Sequence, residues 1–137
     1  MDGQMISSYL KQAQLSANPA LISTELEKLE LHLANTALPE VCWEYQIPEL
    51  GEGGACSLFG YLQDEPFKLT DYLENDEQTQ FKLANLQSIV SYIEHQTSVD
   101  WYGIYQSTNT SEGKQLLKLA YHGAPSRPLF PLTQAFA

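Results

Sequence analysis

Basic residues are scarce in this chain: seven lysines and arginines face seventeen aspartates and glutamates over 137 residues, a formal charge of −10. The seven (Lys11, Lys28, Lys68, Lys82, Lys114, Lys118 and Arg127) are scattered and form no cluster. A nucleic-acid backbone or an anionic bilayer is therefore repelled, and neither is expected as a partner. Cysteine is almost absent. Cys42 and Cys56 lack the CxxC spacing of a zinc site, and a reducing compartment would leave them unpaired. His32, His95 and His122 are far apart in sequence, so no metal is expected, and no cofactor motif occurs. No apolar run is long enough to cross a bilayer. The first fifteen residues lack the basic start and apolar core of a secretory leader, so a cytoplasmic location is expected.

Signatures of catalysis are missing as well. Gly51-Glu52-Gly53-Gly54 lacks the lysine and hydroxyl that follow in a phosphate-binding loop, and it places a carboxylate where an anion would sit. Asp64, Glu65, Asp71, Glu74, Asp76 and Glu77 are acidic without the ordered spacing of a calcium loop. No serine stands in a G-x-S-x-G turn. No catalytic residue is assigned.

Periodicity supplies the elements. Met5, Ile6, Tyr9, Leu10 and Ala13 predict a helix over 4–15, and Ile22, Leu26, Leu29 and Leu33 a second over 19–34, opened by Asn18-Pro19. Together they suggest a helical hairpin over 1–36. In the linking stretch 37–78, Val41, Trp43, Tyr45 and Ile47 alternate with polar neighbours, which predicts a half-buried strand ended by Pro48 and the glycine run. Residues 57–62 are its expected hairpin partner, and 66–74 should hold a helical turn capped by Thr70. A long helix is predicted over 76–96, with Phe81, Leu86, Ile89, Val90 and Ile93 on its apolar face and Gln87 on its solvated side. Strands are predicted over 99–105 and 116–121, joined by a loop over 107–114 and followed by an irregular connection over 122–131. The fold class is α+β.

The order of helix, strand, loop, strand and proline-rich connection over 80–137 resembles the opening half of a GAF domain. Val99-Asp100-Trp101-Tyr102-Gly103-Ile104-Tyr105 and Leu117-Lys118-Leu119-Ala120-Tyr121-His122-Gly123 carry the likeness. The flavour is that of the free methionine-(R)-sulfoxide reductase branch: residues 100–105 are similar to its "NWxGFY" strand and 120–127 to its "GPFQGKPAC" segment. The resemblance implies an antiparallel sheet with one face on the long helix and the other lining a ligand pocket. Alternation puts Trp101, Gly103 and Tyr105 on one face and Tyr102 and Ile104 on the other, and which face lines the pocket stays open. Trp101, Gly103, Tyr105, Tyr121 and His122 are the ligand-pocket candidates.

The reductase cysteines fall at Arg127 and near Ala137, where no thiol stands, and sulfoxide reduction needs an attacking thiolate and a resolving thiol. The expected function is thus a GAF-like regulatory or small-molecule-sensing module without catalysis of its own. The alternatives are a redox enzyme of the reductase type and a dimeric interaction protein. A GAF domain continues further, so 79–137 reads as a first half, either truncated or completed by strands from 37–78. An unfinished sheet edge would favour a homodimer.

Overall fold

In the computed structural model, residues 8, 11–12, 18–50 and 57–132 are described. The chain divides into two compact units, 1–38 and 39–137. The helix expected over 4–15 lies outside the described residues apart from Ser8, Lys11 and Gln12, which are helical. The glycine run and Cys56 also lie outside them.

The first unit holds α1 (Pro19–Asn35). Asn18 caps it by accepting the Ala20 N–H at 3.0 Å, and Pro19 takes the first helical position, where a missing N–H costs nothing. Ile22, Leu26, Leu29 and Leu33 are half-buried, whereas Leu21 and Leu31 are exposed.

The second unit is α+β, built from short antiparallel sheets and a long helix. The predicted single strand over 41–47 is instead a bent extended segment. Glu44–Tyr45 (β1) pairs with Phe67–Lys68 (β4), and Pro48–Leu50 (β2) pairs with Ser57–Leu62 (β3). Pro48 therefore opens a strand rather than ending one, a place where proline forfeits no ladder bond. The alternation read from the sequence survives as burial: Val41, Trp43, Tyr45 and Ile47 are covered while Cys42, Glu44 and Gln46 are exposed. Neither pair of strands joins the main sheet. Leu69–Asp71 forms a 3-10 turn in which Thr70 is an interior residue and Lys68 precedes the first turn without a capping bond.

The long helix α2 (Glu77–Gln96) starts where Asp76 accepts the Thr79 N–H at 2.7 Å. That backbone bond holds the Asp76 carboxyl below its usual range. The apolar face is rotated from the expected one. Leu83, Ala84, Ser88 and Val90 are buried, and Phe81 is 63 % exposed. Gln87 also faces inward. With its amide turned to satisfy both groups, it donates to the Glu40 carbonyl and accepts the Cys42 N–H, each at 3.0 Å. A glutamine side chain thus serves the extended segment as a neighbouring strand would.

The main sheet has the order β5 (Tyr102–Thr110), β6 (Gly113–His122), β7 (Leu129–Pro131). Residues 107–110, predicted as loop, continue the ribbon to a two-residue turn at Ser111-Glu112, with Gly113 at φ +103°. Thr108 and Thr110 are polar but β-branched, and strands accept them where an edge meets water. The connection after His122 likewise ends in a third strand, with Leu117 opposite Leu129.

The core lies between α2 and one face of this sheet: Leu69, Leu83, Leu117 and Leu119, flanked by Trp43, Phe67 and Leu129. Truncating a fully buried leucine removes transfer energy and leaves a cavity. Leu117→Ala should lower the unfolding free energy by about 2–5 kcal/mol in urea melts. Phe81→Ser should stay within about 0.5 kcal/mol of the parent chain.

Candidate functional site

The register of β5 and β6 decides which sheet face is which. Tyr102 pairs with His122, Gly103 with Tyr121 and Ile104 with Ala120; then the register slips, and Tyr105 faces Lys118. Leu119 is the extra residue of this bulge. Gly103 and Tyr105 share a face by alternation, so the bulge puts Tyr121 and Lys118 on that same face although they are three residues apart. The opposite face meets α2. There His122 Nδ1 lies 3.4 Å from Glu94 Oε2, and Lys82 Nζ donates to Gln106 Oε1. The alternative left open by the sequence is thereby resolved: Tyr102 and Ile104 look toward the helix, and Trp101, Gly103 and Tyr105 look away from it.

On that outer face lies an apolar groove of about 540 Å³, walled by Trp101, Tyr105, Leu116, Pro125, Ser126 and Phe130. Its aromatic row is continuous, with ring centroids 6.4 Å apart for Trp101 and Tyr105 and 5.8 Å for Tyr105 and Phe130. Trp101 precedes β5 and folds back over it. Two glycines make this possible. A β-carbon on Gly103 would stand 2.5 Å from the Trp101 ring, and one on Gly123 would stand 2.5 Å from the Asp100 carbonyl oxygen. Gly123 also has φ +109°, a conformation that side chains resist. The indole Nε1 donates to the Ala124 carbonyl at 3.2 Å, which fixes the ring's angle. Arg127 stacks on Phe130, its guanidinium carbon 5.0 Å from the ring centroid, and lines a neighbouring hollow with Asp71, Tyr72 and Leu129.

Beneath the groove is Lys118, which has no exposed surface. Its Nζ donates to the Ser126 carbonyl at 2.9 Å and lies 2.8 Å from Ser126 Oγ. The ammonium also rests 4.0 Å from the Tyr121 ring centroid and 4.9 Å from that of Tyr45. Among the described residues no carboxylate lies within ion-pair distance of it. Desolvation lowers the Lys118 pKa from 10.5 to about 8. Burial raises the phenols of Tyr45, Tyr105 and Tyr121; for Tyr105 a side-chain hydrogen bond with Ser126 opposes the rise.

The five residues picked out in the sequence are therefore divided. Trp101 and Tyr105 wall the groove, with Gly103 under the indole. Tyr121 and His122 line a separate hollow of about 350 Å³, together with Cys42, Glu44 and Tyr45. Lys118, Ser126, Leu116 and Phe130 were missed. The sign of Lys118 was present in Leu116-Leu117-Lys118-Leu119-Ala120: a lone lysine amid apolar neighbours marks a strand covered on both faces, where alternation no longer predicts exposure. Among the described residues, no group of three or more His, Cys, Asp or Glu side chains could hold a metal ion, and no helix is long and apolar enough to cross a membrane. No family model, curated protein or solved structure matches the chain.

Two outcomes follow from this geometry. Gly123→Ala should destabilise the unit by about 1–3 kcal/mol and alter the near-ultraviolet dichroism of Trp101. The second concerns pH. Between pH 8 and 10.5 the unfolded chain keeps a proton at Lys118 that the folded chain has shed, so stability rises with pH across that interval. The tyrosines, whose folded pKa values lie above the ordinary 10.0, reverse the trend at higher pH. The melting temperature should climb from pH 8 to 10, and Lys118→Met should abolish the climb.

Proposed function

We propose that residues 79–137 form the GAF-like part of a regulatory or small-molecule-sensing module, acting in the cytoplasm as a homodimer. The observation that carries this reading is the aromatic groove on the sheet face turned away from α2. A helix on one face and a ligand surface on the other is the arrangement that the resemblance implies. The walls suit a compact apolar or aromatic compound, since small-molecule sites are mostly apolar concavities with few polar groups. The redox alternative is less favoured because Arg127 stands where the reductase would have its cysteine, and Cys42 lines the other hollow. The homodimer rests on β5, an outer strand of the main sheet whose other edge has no partner strand among the described residues and could pair with a second copy.

Thermal shift with purines, indoles and small aromatic acids tests the binding reading. A compound present at a hundred times its Kd should stabilise the chain by about 2.7 kcal/mol. Trp101→Ala should remove that shift. Failure of the whole panel would remove the basis of the sensing role, and a monomer at all concentrations in sedimentation would remove the dimer.

A further inference from the structure

Ser126 joins the buried lysine to the open groove. It lines the groove while its Oγ lies 2.8 Å from Lys118 Nζ. A serine hydroxyl is a weak nucleophile until a neighbouring base removes its proton, and a neutral lysine amine is such a base when it is desolvated. We propose that Ser126 and Lys118 form a lysine–serine dyad, Ser126 as nucleophile and Lys118 as its general base, toward small esters whose apolar acyl part occupies the groove. This goes beyond the binding reading, which needs no reaction.

The surroundings keep the pair in place. The backbone around Ser126 is held by three bonds: Trp101 Nε1 to the Ala124 carbonyl, Lys118 Nζ to the Ser126 carbonyl, and the Lys118 N–H to the Pro128 carbonyl at 2.9 Å. Pro125 and Pro128 restrict the same stretch. Among the described residues the rings of Tyr45 and Tyr121 face Nζ, and Tyr105, which pairs with Lys118 across the strands, shares a side-chain hydrogen bond with Ser126. None of them supplies a negative charge at neutral pH that would offset burial, and desolvation lets the amine lose its proton more readily than an exposed lysine does.

The step balances without a further reactant. The proton of Ser126 Oγ passes to the neutral Lys118 amine as the Oγ–C bond forms at the acyl carbon. The resulting ammonium returns that proton to the departing alkoxide as the ester C–O bond breaks. Water then attacks the acyl-serine by the reverse path, giving the carboxylic acid and free Ser126. The acyl part rests against Trp101, Tyr105 and Phe130.

An alkyl fluorophosphonate tests the dyad, since Oγ–P bond formation expels fluoride and leaves a stable mass increment. Intact mass and peptide mapping of the full chain should place one label on Ser126, with a rate that rises through about pH 8 as Lys118 loses its proton. Ser126→Ala should abolish labelling. Lys118→Met, confirmed as folded by circular dichroism, should slow it by about 100-fold, the lower range for loss of a general base. If Lys118→Met does not fold, the pH profile of the parent chain carries the test. No label on Ser126, a pH-independent rate, or parental labelling of a folded Lys118→Met chain would each overturn the dyad. Thermal shift of the parent chain with the aromatic panel reads groove binding without any reaction, so loss of the dyad and loss of the binding reading are distinguishable.

Discussion

A desolvated ammonium with no counter-ion among the described residues sits at the junction of the second unit, and the position of the functional side chains around it follows from how it is accommodated. Taking a lysine charge out of water is costly unless hydrogen bonds and polarisable neighbours replace its hydration. Lys118 receives both: two acceptors on Ser126 and the faces of Tyr121 and Tyr45. Cation–π attraction strengthens when the charge is desolvated. The consequences spread outward. The connection after β6 is drawn onto the sheet, which brings Ser126 to the groove. The Tyr45 hydroxyl donates to the Lys118 carbonyl at 2.8 Å, which ties the extended segment before β2 to the middle of β6. One residue thereby fastens three separate stretches of chain.

The bulge at Leu119 is what allows this. Strict alternation would place Lys118 and Tyr121 on opposite faces of the sheet. The additional residue moves them to one side while both Leu117 and Leu119 remain in the core against Leu83 and Leu69. Bulges redirect side chains at the expense of a ladder bond, and here the redirected group is the lysine. The glycines act alongside it. An absent β-carbon at Gly103 leaves room for an indole, and the left-handed conformation of Gly123 turns the chain beneath that indole. The groove is thus a product of backbone irregularities more than of a particular set of wall residues.

This division explains what could be read in the sequence. The α2 boundaries were legible because Asp76 caps and a long amphipathic pattern follows. The two sheet faces were legible as pairs of alternating residues, though not which of them met the helix, since Trp101 and Tyr102 are equally aromatic. Phe81 is apolar yet exposed because Gln87 carries hydrogen bonds inward and displaces the buried face around the helix, which apolarity alone does not show. Ser107 to Lys114 looked like a loop because its residues are small and polar; the local preference for turns gave way to continued pairing with β6. The pairing of Lys118 with Ser126 is hidden for a different reason. Their adjacency depends on a register slip and a return of the chain, and neither leaves a local mark.

Electrostatics of the whole chain sharpen the character of the groove. At a formal −10, the long-range field disfavours the approach of an anion. The local situation is the reverse, since Lys118 lies beneath the floor and Arg127 stacks on the Phe130 ring that forms one wall. Screening removes the distant field within about 10 Å at moderate salt, but it acts weakly on a group as enclosed as Lys118. A neutral compound therefore meets no barrier on approach, and any negative charge that develops on it inside the groove lies close to cationic groups. That asymmetry between the resting and the developing charge is the condition under which a small neutral acyl compound is better matched to the groove than a free carboxylate.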